Sequence, residues 1–197
     1  MSQNNQDDIA YYDYKKSYQL QPSESSAVLY ASNLFLTGRT KDAIELLKKS
    51  IQQYPSNLEF IRRLSEAYAQ AGQSKEALAL YDDLLKKDSS NFDALHEKGM
   101  LYTQLSDTPH AIEALEKAYH FHPVLQNGIA LANLYAETRN PKVLPLCEAL
   151  EQRDSSREFV DPIFLKGVYY SNVKDYPKAI ALFDECIGRD WKFIEPY

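Results

Sequence analysis

Apolar residues recur along the chain at the spacing of amphipathic helices. Ile61, Leu64 and Tyr68 lie three or four positions apart, and mostly polar residues stand between them. A second stripe of the same kind runs through residues 77–85. Because residues three and four apart share one face of an α-helix, the two stripes predict two consecutive helices.

The segment between the stripes, QAGQSKE, predicts a short turn. Gly72 suits the end of the first helix because glycine takes a positive φ at little cost. Ser74, with Glu76 two residues later, suits the N-cap and the acidic first turn of the second helix. The unit is therefore predicted to be a pair of antiparallel helices.

The same pattern returns at a fixed interval of 34 residues. GRTKDAIELLKKSIQQYPSN at 38–57 is followed by GQSKEALALYDDLLKKDSSN at 72–91. Gly99 and Gly167 are two intervals apart, and we expect both to let the helices of a pair approach closely. A period of this length is typical of a solenoid. Alanine holds the corresponding place in the second helices, at Ala43, Ala77, Ala111 and Ala179.

The pattern extends over nearly the whole chain and predicts an all-α fold. The tyrosines at repeat positions are expected to pack in the core with their hydroxyl ends near water. Helices are predicted near 8–20, 24–37, 40–54, 57–71, 74–88, 91–105, 108–121, 124–138, 145–153, 160–173 and 176–189.

Residues 92–125 carry a recognisable family pattern, with Leu95, Gly99, Tyr102, Ala111, Leu115, Ala118 and Pro123 at its fixed offsets. The chain resembles the tetratricopeptide repeat family. That resemblance implies a right-handed superhelical solenoid of antiparallel helix pairs, forming a single array over 9–197. The implied units are 24–57, 58–91, 92–125, a degenerate 125–159, and 160–193, with partial units at both ends.

Two stretches depart from the repeat. Residues 1–8, MSQNNQDD, are expected to form a polar flexible tail. In the fourth unit, Leu131 to Tyr135 slip by one position, and Pro141 and Pro145 crowd the second helix. Since proline lacks an N–H and clashes one turn back, we expect that helix to start late or bend. The array also breaks off near Tyr197, which predicts that the chain is a fragment of a longer repeat protein.

Composition narrows the possible functions. The net charge is −6, which argues against a nucleic-acid binder because such a protein needs a basic surface. Cys147 and Cys186 form no CxxC pair, and no run of 18 apolar residues predicts a membrane span. Nucleotide-binding, serine-hydrolase and zinc-protease motifs are missing, so no enzyme activity, cofactor or metal is predicted. The histidines of HFHP, His120 and His122, are more simply a solvated helix end than metal ligands.

The resemblance also places a peptide-binding groove, which in this family is lined by the first helix of each pair. Chaperone-tail binders of the family carry basic residues where this chain has Asp93 and Glu97, so that role is excluded. Arg62 and Arg63 are expected to clamp a carboxylate. The implied groove residues are Val28, Ser32, Phe35, Arg62, Arg63, Glu66, Gln70, His96, Glu97, Met100, Gln104, Asn133, Phe164, Val168 and Asn172.

The favoured function is a scaffold that binds a peptide or partner protein in that groove. The alternative is an assembly module that self-associates through residues 180–197, where Ile180, Phe183 and Ile187 share a face. A metal-dependent enzyme is a distant third hypothesis, followed by a single-strand RNA binder. Two cysteines without a pairing pattern lean towards a cytoplasmic location, and attachment to an envelope through a removed N-terminal segment is the alternative.

Overall fold

The computed structural model describes residues 3–153 and 160–189, and over these residues it is all-helical, without a strand. The helices are α1 Gln3–Leu20, α2 Glu24–Leu36, α3 Thr40–Gln53, α4 Leu58–Gln70, α5 Ser74–Lys87, α6 Phe92–Gln104, α7 Thr108–Phe121, α8 Leu125–Glu137, α9 Val143–Arg153, α10 Asp161–Asn172 and α11 Tyr176–Arg189. The all-α prediction is confirmed. Most helix ends fall within one residue of their predicted place, because the 34-residue pattern specifies both ends of each helix.

Helix α1 is the largest exception, since it begins at Gln3 rather than near residue 8. It therefore takes in most of the segment that was expected to be a polar tail. Once a helical turn is formed, each further residue adds one backbone hydrogen bond, so a helix can extend into a polar segment that has no apolar stripe.

The helices group into two compact units, residues 1–89 with α1 to α5 and residues 90–197 with α6 to α11. Within each unit, consecutive helices pack against each other. The first unit has a core built from α2, α3 and α4, on which Tyr11 and Tyr18 of α1 pack from one side. That core consists of Ala27, Ala31, Leu34, Ala43, Leu46, Leu47, Phe60 and Leu64.

The second unit has its main core around α8, which packs against α7, α9 and α10. Buried side chains of α7, α8, α9 and α10 meet there, and Tyr102 of α6 packs at the edge. A smaller cluster joins Val160 and Ile163 to Cys186 of α11. The core residues are Ala111, Leu115, Leu131, Ala132, Leu134, Tyr135, Ala136, Val143, Cys147 and Leu165.

Small residues occur where the helices of a pair cross. A Cβ atom added to Gly99 would lie 2.7 Å from Cγ of Leu115, and one added to Gly167 would lie 2.5 Å from Cε1 of Phe183. The predicted close approach at both glycines is therefore confirmed. Gly128 has the same kind of contact with Leu150, which the repeat frame did not predict.

The turns inside the helix pairs share one backbone shape. Gly38, Gly72, Ser106, Arg139 and Lys174 all take a positive φ just after a first helix. Glycine is thus used at only some of these positions, although the conformation favours it.

Ser74 was predicted to be an N-cap but is the first residue of α5, and Gln73 stands at the cap without a side-chain hydrogen bond. The turn is closed instead by the backbone, with the Gln73 N–H donating to the carbonyl of Tyr68 at 2.8 Å. The first helices α4 and α6 do have side-chain caps, since Asn57 and Asn91 accept from the backbone N–H groups of Phe60 and Ala94.

Helix α9 differs from the other second helices, as its two prolines predicted. It begins at Val143 and has 11 residues, whereas α7 has 14. Pro145 is its third residue, and the first four N–H groups of a helix have no partner within the helix. The missing N–H of Pro145 therefore costs no helical hydrogen bond. Because Pro145 is exposed while Val143, Cys147 and Leu150 are buried, α9 presents a different face to the core than the repeat frame implies.

Candidate functional site

The predicted groove residues of the first unit lie on its first helices, α2 and α4. Val28, Ser32 and Phe35 of α2 are half-buried, and the Ser32 hydroxyl donates to the carbonyl of Val28 at 2.8 Å. On α4, Glu66 and Gln70 are exposed. The surface of this unit is thus apolar on α2 and charged on α4.

Arg62 and Arg63 are held by acidic residues of their own helix. Arg62 Nη2 lies 2.8 Å from Glu59 Oε2, and Arg62 Nη1 lies 2.8 Å from Glu66 Oε1. Arg63 Nε lies 2.6 Å from Glu59 Oε1. Burial raises the pKa of the Glu59 carboxyl, but the hydrogen bonds and charges of the two arginines outweigh it and lower that pKa. A ligand carboxylate would therefore have to compete with Glu59 for either arginine.

In the second unit, several predicted groove residues are accessible. Met100 of α6 is 44% exposed and Phe164 of α10 is 38% exposed. Gln104 and Asn133 are also exposed, whereas Glu97, Val168 and Asn172 are half-buried. Large apolar side chains at the surface of first helices are the feature that a docking peptide needs.

His96 does not belong to this accessible set, because the structure buries it. Asn127 at the start of α8 forms a side-chain hydrogen bond with His96, and it also donates to the carbonyl of His122 at 2.9 Å. Burial lowers the pKa of His96, and the Asn127 hydrogen bond and the charge of Asp93 only partly offset that effect. The repeat frame missed this burial because α8 is shifted by one residue.

Asn172 has a structural contact as well. Its side-chain Nδ2 donates to the carbonyl of Ala136 at 3.0 Å and so links the C-terminal ends of α10 and α8. These two first helices also pack directly against each other. Asn133, Phe164 and Val168 consequently lie on two helices that pack against each other.

A surface pocket of about 550 Å³ that is open to solvent, called the cavity below, lies between α7 and α9, over α8, at a place that the sequence did not indicate. Glu116 stands at its polar end and binds Lys142 and the hydroxyl of Tyr135. Pro145 is the feature of the sequence that could have indicated this cavity. It occupies the repeat position at which other units have a buried alanine, but it lines the cavity instead. Its lining includes Glu116, Tyr119, Tyr135, Lys142, Pro145 and Leu146.

The side chains that could carry metal or thiol chemistry are not assembled. Within residues 3–153 and 160–189, no group of three His, Cys, Asp or Glu residues is placed to hold a metal ion. Burial raises the pKa of the Cys147 thiol to about 12 and also raises that of Cys186. In the same described ranges, no helix is both long and apolar enough to cross a bilayer.

Comparison with known proteins agrees with this architecture. Two sequence profiles described as tetratricopeptide repeat match residues 34–105 and 92–119. No curated protein matches the chain significantly.

Solved structures match over most of the chain. The tetratricopeptide-like repeats of a putative kinesin light chain from Podosopora anserina superpose with a TM-score of 0.68 at 19% identity, covering 87% of this chain and 97% of that one. MamA from Desulfovibrio magneticus RS-1 gives 0.63 at 17%, covering 82% and 92%. YrrB, described as having an unusual peptide-binding site, gives 0.61 at 16%, covering 90% and 92%.

The fold and its packing define a class of protein, a repeat protein built from helix pairs with glycine or alanine at the crossings. The matching profiles assign residues 34–119 to the tetratricopeptide repeat family, and solved structures share the fold over most of the chain. The family is one of protein-interaction scaffolds, and this chain has its repeats.

Proposed function

We propose that the chain binds an extended peptide or a segment of a partner protein on the surface of its first helices. The observation that carries the proposal is the exposure of Met100 and Phe164, at repeat positions whose side chains would otherwise be expected to be polar. Large apolar side chains on the first helices can pack against the apolar side chains of a docked peptide. The peptide-binding description of YrrB, a protein of the same fold, agrees with this function.

The α8–α10 pair offers the chemistry that an extended peptide requires. Asn133 is exposed, and its carboxamide can both donate to and accept from a peptide backbone. Phe164 and the half-buried Val168 supply apolar contacts on the neighbouring helix. The site would thus bind backbone polar groups and apolar side chains together, a combination suited to peptides.

The charges on the other first helices restrict the ligand. Asp93 is exposed at the start of α6, and Glu97 follows one turn later. An acidic peptide tail would be repelled at these positions, so a ligand for this unit is neutral or basic. No catalytic step is part of this proposal, because binding alone accounts for the surface.

A site-specific photo-crosslinker tests the proposal in cells. The photoreactive amino acid p-benzoylphenylalanine replaces Asn133 in one variant and Lys117 in a control variant, since Lys117 is exposed on the second helix α7. We expect defined crosslinked species from position 133, and we expect Phe164→Asp in the same chain to abolish them. Equal crosslinking from position 117, or crosslinks unaffected by Phe164→Asp, would place binding elsewhere.

A second candidate function, assembly through the C-terminal part of the chain, rests on α11. Tyr176, Ile180 and Ile187 share one face of this helix and are 56%, 59% and 42% exposed. Phe183 is not part of that face, because its ring packs against Gly167 and Phe164. Residues 190–197 of the predicted self-association segment lie outside the described residues. Sedimentation of the intact chain and of Ile180→Glu tests this candidate. We expect the intact chain to sediment as an oligomer and the variant to sediment with the mass of a monomer.

A further inference from the structure

The cavity between α7 and α9 is separate from the proposed peptide surface. On α8, the cavity is lined by Leu131 and Tyr135, while the exposed groove residue Asn133 stands between them in the sequence. Two positions along an α-helix correspond to a rotation of about 200°. Helix α8 therefore presents Asn133 and the cavity on different sides, and an occupant of one does not cover the other.

The departure from the repeat at Pro145 shapes the cavity. In the 34-residue frame this proline stands where Ala111 is fully buried in α7. Pro145 is exposed instead, and α9 starts only at Val143. In place of a buried alanine packed against the neighbouring helix, this position therefore has a proline ring that is exposed.

One carboxylate is fixed at the polar end of this cavity. The buried Tyr135 donates its hydroxyl hydrogen to Glu116 Oε1, and Lys142 Nζ lies 2.8 Å from the same oxygen. No hydrogen bond from a described residue to Oε2 of Glu116 is present. Because the tyrosine is 3% exposed and anchors the carboxylate, Glu116 stays in place with one oxygen available as an acceptor.

The cation that now neutralises Glu116 is easily released. The Lys142 side chain is 63% exposed and belongs to the segment just before α9, so its ammonium group can return to water at little cost. The negative charge of Glu116 is therefore held in place, whereas the positive charge of Lys142 can move out into solvent. An anionic ligand would be repelled by Glu116 and would have to compete with it for Lys142.

The remaining lining is mostly apolar or aromatic and includes Tyr119, Leu131, Pro145 and Leu146, and the exposed His120 also lines the cavity. A ligand that fits has an aliphatic stem and one cationic end. We propose that this cavity binds an arginine side chain of a partner protein, whose guanidinium displaces Lys142 and donates to Glu116. Arginine suits the site because its planar head stacks on aromatic rings and donates in fixed directions, while its stem packs on apolar walls. The net charge of −6 further favours a basic partner.

The test uses the dipeptide N-acetyl-Arg-Leu-amide and its citrulline counterpart, which has nearly the same shape but no charge. Both are titrated into the intact chain and followed by amide chemical shifts. We expect the arginine probe to shift resonances of α7, α8 and α9 around the cavity. We expect the citrulline probe to bind at least about fivefold more weakly, as the loss of one ionic partner at a partly buried site predicts.

Two variants test the roles of the charges, each with a matched control on the exposed side of α7. Glu116→Gln should weaken the arginine probe about fivefold or more, whereas Glu113→Gln should not change its affinity. Lys142→Ala should strengthen binding about two- to threefold by removing the competing cation, whereas Lys117→Ala should have no effect. The control pair Glu113 and Lys117 forms a similar ion pair outside the cavity.

Equal binding of the two probes would overturn the proposal, and so would weaker binding by Lys142→Ala. If Glu116→Gln fails to fold, two other results still test the proposal. The citrulline probe should bind more weakly than the arginine probe, and Lys142→Ala should bind the arginine probe more tightly. Crosslinking from position 133 is independent of this outcome, because the cavity and the peptide surface lie on different sides of α8. Failure of one proposal therefore leaves the other standing.

Discussion

Gly99 of α6 lies so close to Leu115 of α7 that a methyl group on the glycine would stand 2.7 Å from Cγ and 2.9 Å from Cδ2 of the leucine. Leu115 is fully buried. The first prediction follows from this contact. Gly99→Ala should destabilise the chain by about 1–3 kcal/mol, because overpacking forces the helices apart. Urea unfolding followed by circular dichroism measures the change.

Gly188→Ala is the matched control for that substitution. Gly188 also lies in a helix, α11, but a Cβ there would meet nothing within 4 Å. Alanine should stabilise the chain here by about 0.5–1 kcal/mol through helix propensity alone. If both substitutions stabilised the chain equally, the close crossing of α6 and α7 would be disproved.

Tyr11 and Tyr12 provide a second pair with opposite expectations. The guanidinium carbon of Arg39 lies 3.6 Å from the centroid of the Tyr11 ring, and Tyr11 packs on the core of the first unit. Tyr12 is 66% exposed. Tyr11→Ala should therefore cost about 1–3 kcal/mol, and Tyr12→Ala less than about 0.5 kcal/mol. Equal losses in unfolding experiments would mean that α1 does not cover the core of α2 and α3.

The helices could be predicted because the 34-residue period repeats both stripes and turns, as Gly72 and Gly38 illustrate at equivalent turns. The glycine contacts followed from the same frame at Gly99 and Gly167, but not at Gly128, which stands outside that frame. A period in the sequence predicts only what each unit shares with the others.

What belongs to one unit alone was not predicted. His96 is buried and interacts with Asn127 of the shifted helix, and the cavity depends on the face that α9 presents beside Pro145. The pairing of Arg62 with Glu59 and Glu66 was not predicted either, although their i, i+3 and i, i+4 spacings are visible in the sequence.

Glu59 is expected to inhibit the predicted carboxylate clamp, because it holds both Arg62 and Arg63. Glu59→Gln should weaken the hold on Arg63 and leave Arg62 paired with Glu66, and it should increase the affinity for an acetylated tri-aspartate peptide by about two- to fivefold. Adding Arg62→Ala to that variant should remove the gain. Isothermal titration measures the three affinities, and an unchanged affinity in Glu59→Gln would mean that the arginines do not bind carboxylates.

His96 should make the chain sensitive to acid. Burial lowers its pKa in the folded chain below the ordinary value of 6.5, so the unfolded chain binds more protons once the pH falls below that value. Stability therefore increases with pH across this range, and it is lost as the pH falls from about 6.5 towards the folded pKa. The unpaired buried Nδ1 of His96 is the atom that would have to be protonated.

Substitution by glutamine isolates this contribution, because glutamine keeps hydrogen-bonding capacity towards Asn127 but does not titrate. His96→Gln should lose less unfolding free energy between about pH 7.5 and about pH 5 than the unsubstituted chain does. His110→Gln is the control, since His110 is exposed and lies 2.8 Å from Asp107 at the start of α7. Urea titrations at the two pH values measure the difference. A pH dependence that His96→Gln leaves unchanged would show that the protonation of His96 is not coupled to folding.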